Sequence, residues 1–182
     1  LTSERYGLFK KSAGGPDENR LGPTPAEPRA GFPIFGAIAM ARIALEIPAN
    51  LPFRTRIALR ITDMNYGNHL GNDVVLSLVH EARVQYLASL GFTELDAAGM
   101  GIIMGDCAIV YKAQGFYGQA LIAEVGAADL QLVSFDLLYR FSIEGGGKVL
   151  AEAKTGILCF DYATQKVVSI PAALRQKLQV QP

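Results

Sequence analysis

Asp63, Asn65, Asn68, His69, Asn72 and Asp73 crowd into one short stretch, with Gly67 and Gly71 among them, and His80-Glu81-Ala82-Arg83 follows closely. Polar side chains gathered where an apolar strand meets an apolar helix suit a polar carbonyl or an anion. A helix N-terminus there offers unpaired amides and a positive dipole end. Two carboxylates are candidates to activate water. Asp63, partly desolvated with a raised pKa, would be a general base or nucleophile; its plainer role is a turn residue bonding its neighbours' amides. Glu81 would be a base or a water-orienting carboxylate, or else a partner for Arg83, His69 or another subunit, since a carboxylate on so apolar a helix needs one. Asn65 would orient water or the carbonyl, or close an Asx turn. His69 would bond substrate or Glu81, or hold the loop through a backbone carbonyl. Tyr66, Gly67, Gly71 and Asn72 complete the site as substrate-binding residues. The two glycines let backbone approach a ligand, and the Gly71 and Asn72 amides would receive the carbonyl oxygen. His80 and Arg83 read as packing and pairing residues.

The flanking patterns say what positions these groups. Ile43, Leu45 and Ile47 alternate with Arg42, Ala44 and Glu46, and Ile57, Leu59 and Ile61 with Arg56, Ala58 and Arg60. Two half-buried strands are therefore expected before the polar loop. Asn72 or Asp73 caps a helix running to about Leu90, with Gly91 at its C′ position. Its apolar residues cover far more than one stripe, which predicts burial on most sides. The exceptions Asp73, Ser77, Glu81 and Gln85 recur at i, i+4 and share a face. Strands over about 103–113, 119–130, 132–144 and 148–160 follow, the last two joined by the hairpin turn Glu144-Gly145-Gly146-Gly147. Ile170-Pro171 then leads to a short amphipathic helix with Leu174 and Leu178. The order predicts an α+β fold, an antiparallel sheet wrapped around one long central helix. Open sheet edges and a bare helix face predict a homodimer or a dimer-based tetramer.

The 182 residues suit one domain with a full core, and half of them are apolar. Formal net charge is zero, so no basic excess points to nucleic acid. Residues 1–36, punctuated by Gly14-Gly15-Pro16 and Gly22-Pro23-Thr24-Pro25, read as a poorly structured leader or surface arm, and 37–182 as the single domain. Met40 is a possible native start. Phe32 to Ile47 is too short and too interrupted to span a bilayer, so a cytoplasmic chain with no membrane partner is expected. Cys107 and Cys159 sit in apolar runs and read as buried free thiols. There is no Gly-x-Ser-x-Gly elbow. Gly145-Gly146-Gly147-Lys148 lacks the phosphate-loop spacing, and Gly99-Met100-Gly101 precedes a strand rather than a helix. Two histidines and two scattered cysteines give no metal-ligand spacing, so neither a metal nor another cofactor is expected.

The order strand, polar loop with His69, helix with Glu81-Ala82-Arg83, then four strands resembles the hot-dog-fold thioesterases, most of all the 4-hydroxybenzoyl-CoA and acyl-ACP thioesterase groups. Their loop reads like Asp-x-Asp-x-x-Gly-His-Val-Asn-Asn, and His69-Leu70-Gly71-Asn72 aligns with its end. Tyr111 to Gly118, Ala151 to Asp161 and Ile170-Pro171 match later parts of the pattern, so the likeness spans roughly 42–178. It implies a hot-dog domain hydrolysing acyl- or aroyl-CoA, or acyl-ACP, thioesters in fatty acid metabolism, with no metal. One position departs from the pattern. Asn65 stands where the family places its catalytic Asp, and an amide is neither a base nor a carboxylate nucleophile. The acid survives at Asp63, two residues earlier, and some branches use a helix carboxylate, here Glu81. The likeness leaves two alternatives open: a dehydratase or hydratase of acyl thioesters using Asp63, His69 and Asp73, and a non-catalytic acyl-CoA-binding module. Met100, Met104, Phe116, Tyr117 and Phe135 would line an acyl tunnel or simply fill the core.

Overall fold

Period-two alternation makes the strands, and it runs longest after the helix. In the computed structural model, which describes residues 43–179, β1 (Phe53–Ala58) precedes α1 (Asn72–Ser89). After it come β2 (Gly101–Tyr111), β3 (Ala120–Ala128), β4 (Ser134–Ile143), β5 (Val149–Asp161), the short β6 (Lys166–Val167) and α2 (Ala172–Gln179). All pairs are antiparallel in the order β1-β3-β4-β5-β2, with β6 on β5. This is the expected sheet-and-helix architecture, the hot-dog fold. The strand that follows the helix crosses to the far side, so among the described residues β1 and β2 are the two edges. The expected leader and Met40 start lie outside the described residues.

The core forms between the inner face of α1 and alternate residues of the sheet. Val75, Leu78, Val79, Ala82, Tyr86 and Leu87 pack with Leu121, Ala123 and Val125 of β3 and Leu137, Tyr139 and Phe141 of β4. Each fully buried Leu or Phe of this set contributes about 1.5–3 kcal/mol. The Tyr139 and Thr155 hydroxyls satisfy each other at 3.1 Å inside it. Among the described residues no helix is long and apolar enough to cross a membrane.

Four expectations change. No strand forms over Ile43–Ile47, which pairs with no strand among the described residues. Instead the Arg140 guanidinium donates to the carbonyls of Ile47, Pro48 and Ala49 at 3.2, 2.7 and 2.9 Å. The second strand ends at Ala58, and Ile61, 65% exposed, opens a 3-10 turn over Ile61–Asp63. Within one chain α1 is not buried all round: Asn72, Asp73, Leu76, Ser77, His80, Glu81, Val84 and Ala88 form an exposed stripe. A single sheet covers one side of a helix, and the apolar residues on its other side stay bare. Cys107 is exposed because it lies on the edge strand β2; Cys159, on the interior strand β5, is buried as expected.

Candidate functional site

The loop before α1 is held by its own polar groups. Asp63 is buried, and both its oxygens are engaged by Arg60. Oδ2 accepts the Arg60 amide at 2.7 Å and Nε at 3.3 Å; Oδ1 accepts Nη2 at 3.0 Å. Burial pushes this carboxyl up, but the Arg60 side-chain and backbone bonds and its positive charge outweigh that and hold it below the usual carboxylate range. The expected raised pKa is therefore reversed. Asn65 Oδ1 accepts the Gly67 amide at 2.8 Å, an Asx turn, while its Nδ2 lies 3.4 Å from His69 Nδ1. His69 Nδ1 is also 3.1 Å from the Leu70 carbonyl. Asn68 takes a φ of 59°, a conformation asparagine tolerates, to close the turn. Tyr66, at its tip, is fully exposed.

Gly71 is the N-cap of α1, one residue before the expected cap, and brings no capping side chain. Its amide is already donated to the Asp63 carbonyl at 3.0 Å. It does not serve as an open oxyanion donor. Helix geometry leaves the amides of Asn72 and Asp73 without an internal partner. A Cβ at Gly71 would come within 2.7 Å of Asp73 Oδ1, so glycine keeps this end of the helix uncrowded. A cavity of about 300 Å³ opens here, between His69, Asn72 and Val75 on one side and Tyr111, Lys112 and Leu150 on the other.

The remaining candidates face elsewhere. Asp63, Ser77, Glu81 and Gln85 share a cavity of about 360 Å³ with Arg56 and Arg60, between α1 and the edge strand β1. Asp63 and Glu81 thus line one cavity, and His69 and Asn72 another. Glu81 is exposed; its Oε1 accepts Gln85 Nε2 at 2.6 Å. That partner is neither Arg83 nor His69. Gln85 Oε1 in turn accepts the Thr55 hydroxyl at 2.5 Å. Along α1, Glu81 sits nine residues beyond Asn72, about 13 Å at 1.5 Å per residue. One chain does not present both to a single carbonyl.

Arg83 and His80 pair as expected of them, and their shared partner is Glu94. Arg83 Nε lies 2.6 Å and His80 Nε2 2.9 Å from its two oxygens. Burial raises the Glu94 carboxyl, and the His80 and Arg83 contacts more than reverse this. Sequence reading missed Glu94, which stands in an irregular connection with no periodic signal. It also read Arg60 only as the polar side of a strand, although an Arg three residues before an Asp fits a capping contact. Gln85 was legible through its i, i+4 spacing from Glu81; Thr55 was not. Of the residues weighed for an acyl tunnel, Phe135 is core at 1% exposure, and Met104, Phe116 and Tyr117 are exposed. Among the described residues no three His, Cys, Asp or Glu side chains group as metal ligands would.

The thioesterase-like superfamily model matches residues 59–178, and the chain belongs to that superfamily. The match takes in the whole of α1 and every residue named at the first cavity, and at the second all but those contributed by β1. The chain is similar to the long-chain acyl-CoA thioesterase FadM of Escherichia coli (strain K12), with 26% identity over 127 residues, covering 69% of this chain and 96% of that protein. Its fold is that of a 1,4-dihydroxy-2-naphthoyl-CoA thioesterase from Synechocystis, with a TM-score of 0.64, 17% identity, and coverage of 69% and 94%. A thioesterase from Thermus thermophilus solved with coenzyme A and Zn gives 0.63 at 18% identity, covering 72% and 100%.

Proposed function

We propose that this protein hydrolyses an acyl- or aroyl-CoA, or acyl-ACP, thioester as a homodimer, with Glu81 as the general base. The observation that carries the reading is the state of Glu81. It is an exposed carboxylate beside a cavity, with Oε1 held by Gln85 and Oε2 in no hydrogen bond among the described residues. Water loses a proton to Glu81 as its oxygen bonds to the thioester carbon. The carbonyl oxygen takes up charge against the first-turn amides of Asn72 and Asp73, the C–S bond breaks, and the leaving thiolate takes the proton that Glu81 received from water. No step in this reading needs a metal or cofactor. Asp63, Asn65 and His69 hold the loop that aims the amides, and Tyr66 and Gly67 meet the carrier at the loop tip.

The 13 Å between Glu81 and Asn72 gives the dimer its reason. Among the described residues the eleven-residue β2 leaves one edge unpaired, and Leu76 and Val84 on the bare stripe of α1 are 39% and 42% exposed. A two-fold pairing across these surfaces sets one chain's amides against the other's Glu81. Two free thiols and the CoA-linked relatives support a reducing, cytoplasmic setting.

Thiol release from a panel of acyl- and aroyl-CoAs, and from acyl-ACP, tests the activity. Turnover of at least one member is expected, and none across the panel overturns it. Co-expression tests the shared site. Glu81→Gln removes the base, and Asn72→Pro removes one amide at the first helical position, where proline is tolerated. Each variant alone is expected to be inactive, and the mixed dimer to recover about half the activity of a wild-type dimer from its one intact site. No recovery would place both groups' work within one chain. Asn65, an amide closed into a turn where the family has its acid, favours a second reading, a non-catalytic acyl-CoA-binding module. Tight CoA-ester binding without thiol release is the outcome that selects it.

A further inference from the structure

We infer that Thr55 and Gln85 are positioning residues for Glu81, holding its carboxylate ready through a hydrogen-bond chain that runs from β1 to α1. The inference rests on the reading of Glu81 as the base. An exposed glutamate on a helix samples many rotamers, and a carboxylate that must meet one water gains from losing that freedom. Here the freedom is removed from two elements at once. Thr55 lies on the inward row of β1, opposite Ala123 of β3, so the rigid sheet fixes its hydroxyl. That hydroxyl donates to Gln85 Oε1 at 2.5 Å, and Gln85 Nε2 donates to Glu81 Oε1 at 2.6 Å.

The direction of the chain is forced. An ionised carboxylate only accepts, so Gln85 must turn its NH2 toward Glu81 and its oxygen toward Thr55, and Thr55 must then donate. A surface glutamine bonded to Glu81 alone, at i, i+4, would hold it weakly. Anchoring by Thr55 distinguishes this pair from such a surface contact. Because the chain occupies only Oε1, the second oxygen stays available for water.

The test uses full-length protein and four variants, read by kcat, KM and Tm on whichever thioester the wild type hydrolyses best. Thr55→Val keeps the shape and removes the donor; Gln85→Met keeps length and removes the amide. Gln85→Met is expected to lower kcat about tenfold or more, the scale of a lost hydrogen bond to a charged group, and Thr55→Val, which loses a bond between neutral groups, about threefold to tenfold, both with KM and Tm nearly unchanged. Thr55→Ser is expected to restore kcat, which a purely packing role would not. Wild-type kcat in both Thr55→Val and Gln85→Met, beside an inactive Glu81→Gln, overturns the positioning role and leaves the base assignment standing. Wild-type kcat in Glu81→Gln overturns both.

Discussion

The loop from Asp63 to Gly71 and the outer face of α1 spend their polar groups in opposite ways. In the loop, Asp63 is closed by Arg60, Asn65 by the Gly67 amide, and the Gly71 amide by the Asp63 carbonyl. On the helix, Glu81 is held at one oxygen and uncommitted at the other. The difference teaches that a dense polar motif is evidence of a shaped backbone first, and that chemistry falls to groups with capacity left over.

The largest effect should come from the helix. Glu81→Gln is expected to cut kcat about a hundredfold or more with little change in Tm. If thiol release survives while Asp63→Asn abolishes it, the contrast between the regions is inverted. Asp63→Asn should act on stability instead. Losing charge-assisted bonds at a buried carboxylate costs about 1.5–3 kcal/mol in urea unfolding at neutral pH. The sign follows from the lowered pKa: the folded state binds the Asp63 proton more weakly than the unfolded state. The contribution is complete above the unfolded value, about 3.9, and is lost as pH falls through the lower folded value. Wild type and Asp63→Asn should therefore converge in stability only in acid, and a gap unchanged down to about pH 2 would contradict this.

Asn65→Asp places an acid where the resemblance to the hot-dog thioesterases sets one. It keeps the acceptor for the Gly67 amide, so the loop should persist and kcat should move by less than about threefold, well under the hundredfold asked of a working base. A tenfold gain would show that the loop, not the helix, is the better seat for the base. The smallest effect is expected at Tyr66, fully exposed at the loop tip. Tyr66→Ala should leave unfolding within about 0.5 kcal/mol and raise KM alone, so a fall in kcat would draw the tip into the chemistry.

Much of the fold was legible because the relevant signals are local. Alternation from residue 101 onward placed the four later strands within a few residues, Gly91 at φ 86° ended the helix where a left-handed C′ was expected, and Glu144 to Gly147 made the turn. Local alternation failed at Ile43–Ile47, where strand-like periodicity met no partner strand among the described residues. The candidate residues, too, could be listed from composition and spacing. Their grouping could not, since Asp63 and Glu81 share one cavity while His69 and Asn72 line another.

By itself the sequence determined the elements, the α+β class, the polar loop before the helix and the i, i+4 relation of Glu81 to Gln85. These follow from backbone propensity and periodicity within a few residues. Only the tertiary structure decided which polar groups remain available. Thr55 reaching Gln85 from β1 and Glu94 joining His80 to Arg83 are contacts whose partners are set by how strand, helix and connection pack. Hydrogen-bond capacity is used up by whichever partner packing brings within about 3 Å, and that is settled in three dimensions.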